Sequence, residues 1–509
     1  MARPGYRRGC GSLSGGWLDA GVTMTREARN TEIWMVAAEA APYVQVGGLG
    51  DVLRALPPAL APLGFRVRRF LPAYGSVDRA GFAEEDGNLA VPLGPARTPV
   101  RFLSREDAPG VTTTLIVCEE LFAREGVYGT ADGEYPDNAR RFALLGRAVC
   151  ERARRASPPP DILHAHDWHA GLVPLFARAL PFGGPRTVLS IHNLGYQGRF
   201  DASARTWLSL RDVSPSFARD GFGDGGLNFL RAGVWCADWL TTVSPTHARE
   251  ILTPEFGWGL DELLRRRRDV LSGILNGADY EVWDPSRDRH LPRPFGPNSL
   301  ARKSEAKRVL VERLGLSPGG RAVIGVVGRL VPQKGIDVLA AAAPRLVAAG
   351  ADLAILGTGD RATVETLQYL MNRHPGRIMM RAGYDEVLAH LIVGGSDLIA
   401  VPSRYEPCGL VQMHALRYGT IPVVHKTGGL ADTVRDELEN PGRGTGYVFA
   451  PLTPDALAEA VLRALQLRSD AERWRALQRR AMAADFPWAG AARHYAGLYR
   501  GLLASNDRA

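Results

Sequence analysis

Two cationic side chains, Arg329 and Lys334, follow a short apolar run at residues 322–327 that is typical of a buried strand. Two cations placed after a strand suit a diphosphate, because both form charge-assisted hydrogen bonds with phosphate oxygens. The chain has 62 basic Lys and Arg residues, and only four of them are lysine. Lysine is therefore unusual here, which indicates that a compact ammonium group is needed at position 334. A surface lysine without a ligand is the alternative interpretation.

A carboxylate, Glu406, lies in the segment Arg-Tyr-Glu-Pro-Cys-Gly-Leu at residues 404–410, which follows another apolar run at residues 398–401. A carboxylate at the end of a strand can bind sugar hydroxyls. The glycine of the same segment can offer backbone N–H groups to a phosphate. Glycine turns at residues 357–359 and 427–430 repeat this arrangement after other apolar runs.

Histidine and aspartate side chains follow two apolar runs of the first half. The segment His-Ala-His-Asp-Trp-His occupies residues 164–169, and His192-Asn193 follows the next run. In α/β folds ligands bind at the carboxyl ends of parallel strands, so these segments predict a shared cleft. His164 and His166 would share one face of their strand and could bind a metal. No further ligand with suitable spacing follows them, which favours a polar cluster.

Gly47 and Gly48 belong to a glycine-rich segment that joins the first predicted strand to the first predicted helix. Glycines let the backbone approach a ligand, and the N-terminus of a helix favours an anion. Packing glycines would look identical in the sequence. The segment is not a Gly-x-Gly-x-x-Gly motif, which argues against a nicotinamide-dependent dehydrogenase.

Several catalytic motifs do not occur in the chain. It contains no Asp-x-Asp, which argues against a transferase that holds its nucleotide through a divalent metal. It contains no Gly-x-Ser-x-Gly and no P-loop, which argues against a serine hydrolase and a P-loop kinase. Basic side chains and helix dipoles would therefore have to neutralise a bound diphosphate without a metal.

Predicted strands and helices alternate along the chain, which implies parallel sheets covered by helices on both faces. The apolar runs lie at residues 33–37, 113–117, 161–163, 187–191, 240–243, 322–327, 353–356, 378–380, 398–401 and 421–424, and residues 66–71 alternate like a strand. The number of predicted strands is larger than one doubly wound sheet usually contains. The sequence therefore predicts an α/β protein with two Rossmann-like domains facing across a cleft. A single (β/α)₈ barrel is the structural alternative.

Clusters of residues that favour turns and loops predict the domain boundaries. Gly, Asn, Asp and Pro cluster at residues 273–285, which indicates a linker there. We expect a disordered leader at residues 1–30, with Met24 as an alternative start, and Rossmann-like domains at 31–270 and 271–485. An amphipathic C-terminal helix is expected within residues 486–509.

Composition excludes several classes of protein. No apolar run approaches the roughly 20 residues of a membrane-spanning helix. The five cysteines form no Cys-x-x-Cys pair, which argues against a disulfide framework or zinc ribbon and fits a reducing cytoplasm. The net charge of +8 is small for 509 residues, and no nucleic-acid-binding motif accompanies it. The oligomeric state is left open.

These motifs resemble, in order, those of bacterial glycogen synthase and of the catalytic part of plant starch synthase. The matching segments are residues 46–52, 164–172, 191–198, 244–246, 275–277, 328–330, 333–335, 402–410 and 427–434. The resemblance implies a glycosyltransferase-B fold in which the C-terminal helix crosses back to the first domain. It also implies the transfer of glucose from ADP-glucose to the non-reducing end of an α-1,4-glucan such as glycogen. The transfer would retain configuration and need no cofactor or metal.

The resemblance also implies roles for residues of the second half. Arg329 and Lys334 would contact the diphosphate and stabilise the leaving ADP. Glu406 would bind the transferred glucose, and Tyr384 would pack on the adenine. Further substrate contacts would come from the backbone at Cys408, Gly409 and Leu410.

In the first half, the resemblance implies that His192 contacts the glucose near the reacting carbon. Asp167 would line the sugar and acceptor side of the cleft. Further substrate contacts would come from Gln45, Gly47, Gly48 and Asn193.

Two positions depart from the family pattern. Gln45 stands where the family usually has lysine, and Val411 stands where it usually has threonine. Both lie in ligand-facing motifs. They keep two alternatives open, a catalytically weak glucan-binding or regulatory relative and a synthase that uses another donor such as UDP-glucose. A pyridoxal-phosphate glucan phosphorylase needs a Schiff-base lysine, and Lys334 is better explained by a diphosphate.

Overall fold

A computed structural model describes residues 31–85, 87–130, 132–180, 184–208, 221–223 and 226–505. The predicted leader at residues 1–30, with Met24, lies outside the described residues. Two separate sheets organise the rest of the chain.

The described residues of the first half form fourteen strands, most of which belong to one ten-stranded sheet. The strands are β1 (Thr31–Val36), β2 (Phe65–Pro72), β3 (Ala83–Glu84), β4 (Leu89–Leu93), β5 (Ala96–Ala108), β6 (Val111–Val117), β7 (Gly129–Thr130), β8 (Gly133–Glu134), β9 (Ile162–His166), β10 (Arg186–Ile191), β11 (Arg199–Asp201), β12 (Gly226–Asn228), β13 (Trp239–Thr242) and β14 (Leu271–Gly273). The order β14-β13-β10-β9-β1-β2-β6 is parallel throughout, and β5, β3 and β4 extend it with antiparallel pairs. The chain order reverses direction at β1, where a doubly wound sheet opens its ligand crevice.

The helices formed by the described residues of the first half pack on both faces of this sheet. They are α1 (Gly48–Leu60), α2 (Glu119–Phe122), α3 (Asn138–Arg155), α4 (Val173–Ala177), α5 (Phe229–Cys236), α6 (Pro245–Glu250) and α7 (Asp261–Arg266). Because both faces are covered, the central parallel strands are buried along most of their length. Residues Ile33 to Val36 of β1 and all five residues of β9 are buried.

The second half contains a six-stranded parallel sheet in the order β17-β16-β15-β18-β19-β20. Its strands are β15 (Ala322–Val327), β16 (Ala351–Gly357), β17 (Ile378–Ala382), β18 (Leu398–Val401), β19 (Ile421–His425) and β20 (Tyr447–Phe449). The order reverses between the neighbours β15 and β18. The loops that follow these two strands therefore meet at the switch point of the sheet.

Nine helices of the described residues follow β14 in the chain. They are α8 (Lys303–Leu314), α9 (Ile336–Ala348), α10 (Arg361–Arg373), α11 (Glu386–Gly395), α12 (Val411–Arg417), α13 (Gly428–Thr433), α14 (Pro454–Arg468), α15 (Ala471–Ala483) and α16 (Trp488–Ala504). None of the helices in the described ranges combines the length and apolarity needed to cross a membrane.

The last helix, α16, belongs to the core of the first half. Tyr495 and Tyr499 are fully buried there, with Trp488 and Leu502 in the same cluster. The segment before α16 passes beside the predicted linker at residues 273–285, where Ala278 N donates to the carbonyl of Phe486 at 2.7 Å.

The α/β class with two Rossmann-like sheets is confirmed, and the barrel alternative is wrong because both parallel sheets are open.

Candidate functional site

A cleft of about 480 Å³ separates the carboxyl edges of the two sheets, and residues of both halves line it. The predicted site residues that line it are Gly47, Gly48, Asp167, His192, Asn193, Arg329, Lys334, Glu406, Cys408, Gly409 and Leu410. These residues are widely spaced in the sequence. They meet because the loops after β1, β9 and β10 face the loops after β15 and β18.

Lys334 and Glu406 form an ion pair in the cleft. Lys334 Nζ lies 2.5 Å from Glu406 Oε2, and the Ser403 hydroxyl donates to the same oxygen at 2.8 Å. The turn that carries Lys334 ends at Gly335, whose φ is +63°. A Cβ on Gly335 would lie 1.9 Å from the carbonyl oxygen of Pro402, so only glycine lets this turn pack against the end of β18.

Arg329 is the second cation, and it reaches across the cleft. Its Nη1 donates to the hydroxyl of Tyr196 at 3.2 Å, and its Nη2 donates to Gln333 Oε1 at 3.3 Å. Tyr196 belongs to the first half of the chain, in the segment after His192. The exposed guanidinium therefore stands between the two halves, beside the ammonium group of Lys334.

The backbone at residues 408–410 forms a tight turn just before α12. Gln412 Nε2 donates to the carbonyl oxygens of Cys408 and Gly409 at 3.1 and 2.9 Å, which holds this turn. Burial raises the pKa of the Cys408 thiol to about 12. The thiol is therefore neutral at physiological pH and is not an activated nucleophile.

The histidines of the first half form a buried hydrogen-bonded cluster. His166 Nδ1 lies 2.9 Å from His192 Nε2, and His164 binds the hydroxyls of Tyr499 and Ser190 at 2.7 and 2.8 Å. Burial lowers the pKa of His164 to about 3 and that of His192 to about 4, so both imidazoles are neutral at physiological pH. These hydrogen bonds agree with the polar-cluster interpretation rather than with a metal held by His164 and His166.

Asp167 connects β9 to the loop after β10. Its Oδ1 accepts from the backbone N–H groups of His192 and Asn193 at 2.7 and 3.3 Å. Burial raises the pKa of this carboxyl to about 7, although the two N–H groups favour the ionised form. Asp167 also has a φ of +57°, a strained backbone conformation that recurs at functional sites.

Glu39 is a cleft residue that the sequence analysis missed. Its Oε2 accepts from the backbone N–H groups of Val46 and Gly47 at 2.6 and 2.8 Å, and Tyr128 donates its hydroxyl to Oε1. Glu39 therefore fixes the glycine-rich loop in front of α1. The sequence did contain a signal, because Glu39 is the one acidic residue in the apolar stretch at residues 33–50. Tyr128 had none.

Two predicted substrate-binding residues do not line the cleft. Gln45 is exposed on the rim and hydrogen-bonds to the carboxyl of Asp51. Tyr384 is 89% exposed in the loop before α11. Both side chains are exposed and lie outside the group that lines the cleft.

Polar contacts beside the cleft join the two halves. The Ser244 hydroxyl donates to the carbonyl of Pro407 at 2.6 Å, and Thr246 N donates to Asp432 Oδ2 at 2.8 Å. Glu250 Oε1 accepts from the backbone N–H of Gly428 at 2.9 Å. These contacts hold the cleft at its present width along the side formed by α6 and α13.

Comparison with known proteins identifies the family. Residues 32–266 match the family described as "Starch synthase catalytic domain", and residues 313–480 match "Glycosyl transferases group 1". The chain is 42% identical to the glycogen synthase of Geotalea daltonii, over 94% of this chain and 100% of that protein. It is 46% identical to the glycogen synthase of Anaeromyxobacter dehalogenans, over 92% of this chain and 99% of that protein.

A solved structure agrees with the sequence comparisons. The catalytic domain of starch synthase IV from Arabidopsis thaliana, bound to ADP and acarbose, superposes with a TM-score of 0.85 at 30% identity. The match covers 94% of this chain and 100% of that one. The chain therefore belongs to the glycogen and starch synthase family of glucosyltransferases, which have the glycosyltransferase-B fold.

Proposed function

We propose that this chain transfers glucose from ADP-glucose to the non-reducing end of an α-1,4-glucan, with retention of configuration and without a metal. The observation that carries the proposal is one cleft in which Lys334, Arg329 and Glu406 face His192 and Asp167. The ADP and acarbose bound by the starch synthase IV relative support an adenine nucleotide and a glucan as the two ligands.

The diphosphate of the donor binds to Lys334 and Arg329. An ammonium group has three N–H donors, so Lys334 can keep its contact with Glu406 while it binds a phosphate oxygen. Negative charge on the diphosphate grows as its bond to glucose breaks. Fixed cations that meet this charge stabilise the transition state more than the bound donor.

The transferred glucose lies between Glu406 and His192. The second oxygen of Glu406 accepts hydrogen bonds from sugar hydroxyls, while Oε2 keeps its contacts with Lys334 Nζ and the Ser403 hydroxyl. His192 Nε2 is engaged by His166, so His192 Nδ1 is the ring nitrogen that faces the sugar. The neutral imidazole adds no positive charge beside the glucosyl carbon, which becomes cationic in the transition state.

The experiment is a donor comparison. The protein is incubated with glycogen and either ADP-glucose or UDP-glucose, with and without EDTA, and nucleotide release is followed. We expect ADP release that EDTA does not diminish. Release from neither donor would refute a synthase, release of UDP alone would move the assignment to another donor, and loss of release with EDTA would refute the metal-free mechanism.

One observation favours a weaker enzyme as the second candidate. At the rim position where the family usually has a lysine, this chain has the uncharged Gln45 bound to Asp51. A catalytically weak glucan-binding relative would still bind glycogen but would release little nucleotide from either donor.

A further inference from the structure

Three potential metal ligands, His290, Glu386 and His390, cluster on the second half of the molecule, and none of them lines the cleft. One ligand atom of each residue lies within 4.8 Å of the others. The His390 side chain is 1% exposed, that of His290 is 15% exposed, and that of Glu386 is 46% exposed. The cluster therefore opens to solvent on the side of Glu386.

Local structure fixes two of these side chains on one helix face. Glu386 and His390 are four residues apart in α11, so both point to the same side. Asp385 caps this helix, because its carboxylate accepts from Leu388 N at 2.9 Å. His290 comes from the segment that leads into α8, and its backbone N–H donates to Asp288 Oδ1 at 2.8 Å.

The imidazole of His390 is held as metal-binding histidines usually are. Its Nδ1 lies 2.7 Å from Asp288 Oδ2, which also accepts from the Tyr418 hydroxyl at 2.6 Å. Trp283 stacks on the His390 ring at 3.8 Å with an interplanar angle of 5°. A carboxylate bound to one nitrogen sets the tautomer, orients the ring and makes the other nitrogen, Nε2, a better ligand.

Charge and spacing also suit a cation. Asp288 places a carboxyl group directly behind the His390 ring, with Oδ2 at 2.7 Å from Nδ1. His290 Nε2 lies 3.8 Å from Glu386 Oε1. Tetrahedral bonds of about 2.0–2.1 Å place ligand atoms about 3.3 Å apart. The three ligand atoms now lie within 4.8 Å of one another, so the side chains must close by up to about 1.5 Å. Arg289 Nε donates to His290 Nε2 at 3.3 Å, and this exposed side chain would have to move aside.

We propose that His290, Glu386 and His390 bind one divalent transition-metal ion, with Zn²⁺ as the reference ion and water as its remaining ligand. Two imidazole nitrogens and one carboxylate are a ligand set that favours such an ion over Mg²⁺ or Ca²⁺. The ion has a structural role, because it joins the segment that leads into α8 to α11, just after the loop of Tyr384. It takes no part in the transfer reaction.

The test is a metal titration of the full chain after EDTA treatment and removal of the EDTA. His290→Asn removes one exposed ligand, and His494→Asn is the matched control, because His494 lies on the exposed surface of α16. Binding of Zn²⁺ is followed by the change in unfolding temperature and by its stoichiometry. The absorption of bound Co²⁺ reports the ligand geometry.

We expect wild type and His494→Asn to bind one equivalent and to unfold at a higher temperature with Zn²⁺. His290→Asn should lose at least tenfold in affinity while unfolding, without metal, at the same temperature as wild type. No rise for wild type, or equal binding by all three proteins, would overturn the proposal. Its failure leaves the proposed transfer activity untouched, since glucose transfer by EDTA-treated His290→Asn is expected to equal that of wild type.

Discussion

Lys334 Nζ and Glu406 Oε2 are 2.5 Å apart, so the lysine and the carboxylate that stood out separately in the sequence form one ion pair. The pair exists because β15 and β18 are neighbours at the point where the order of the second sheet reverses. The side chain of Glu406 is 8% exposed, and that of Lys334 is 24% exposed. The pair therefore lies at the base of the cleft, with the ammonium group on its open side.

Removing either partner should reduce turnover more than donor binding. We predict that Lys334→Ala and Glu406→Ala each lower kcat by roughly 10²–10³-fold, as expected for the loss of a fixed transition-state contact. The reason is that both contacts strengthen as the diphosphate leaves and the glucosyl carbon becomes cationic. Steady-state kinetics with glycogen and ADP-glucose separate kcat from KM.

Cys408→Ser is the matched control in the same cleft. The buried Cys408 thiol is neutral, and the proposed contacts of this residue come from its backbone, so we expect a much smaller effect. Near-normal turnover by Lys334→Ala, or a loss in Cys408→Ser as large as in Lys334→Ala, would contradict the assigned roles.

Gln45→Lys should raise kcat/KM for ADP-glucose severalfold. A charge about 4 Å from a phosphate is worth at most roughly 4 kcal/mol at an effective dielectric of 20, before desolvation is subtracted. The side chain is exposed on the rim, so we expect an unfolding temperature within a few degrees of wild type. Gln45→Ala is the control, because it removes the contact with Asp51 without adding a charge. If Gln45→Lys is slower than wild type, the rim has adapted to glutamine and the weakened-site interpretation is wrong.

The buried histidines should make the fold sensitive to acid. Burial lowers the pKa of His164 to about 3 and that of His192 to about 4, from an ordinary value of 6.5. Below about pH 6.5 the unfolded chain therefore binds protons that the folded chain does not, and the free energy of unfolding falls as the pH falls. This stability is fully present above pH 6.5. Burial raises the pKa of Asp167 from 3.8 to about 7, so between these pH values the folded chain binds a proton that the unfolded chain does not. This single group raises the free energy of unfolding as the pH falls, but several buried histidines lower it.

Urea denaturation of wild type and His164→Gln over this range measures the effect. The variant lacks one group that binds a proton only in the unfolded chain. Its free energy of unfolding should therefore depend on pH less steeply, by up to about 1.4 kcal/mol per pH unit. Identical slopes for the two proteins would show that His164 is not held neutral by burial.

Tyr499→Phe tests how α16 is fastened to the first half. The change removes the hydroxyl bound to His164 Nδ1 at 2.7 Å and leaves a buried ring nitrogen without that partner. We expect a loss of about 1–3 kcal/mol in the free energy of unfolding. Tyr495→Phe should cost less, because its hydroxyl lies 3.5 Å from Ser190 Oγ, which keeps Thr241 and His164 as partners. Equal losses in the two variants would show that the contact with His164 has no special weight.

Buried parallel strands could be predicted from the sequence, whereas the edge of the first sheet could not. The apolar runs at residues 322–327 and 398–401 coincide with β15 and β18, because a strand covered on both faces favours a near-continuous apolar run. The long strand β5 is half exposed and carries charged residues, so no apolar run marks it. The partners of the site residues were also hidden, since the contact of His166 with His192 depends on two strands being neighbours.

The most direct test is the extension by ADP-glucose, in the presence of EDTA, of a maltooligosaccharide whose reducing end is blocked by a label. The product is then digested with an exo-enzyme that removes α-1,4-linked glucose units from the non-reducing end. We predict a ladder of longer chains, which the digestion shortens again. Such a product requires the predicted donor, the predicted end of the acceptor and retention at the anomeric carbon. A folded protein that extends no primer, or a product that resists the digestion, would contradict the proposed reaction.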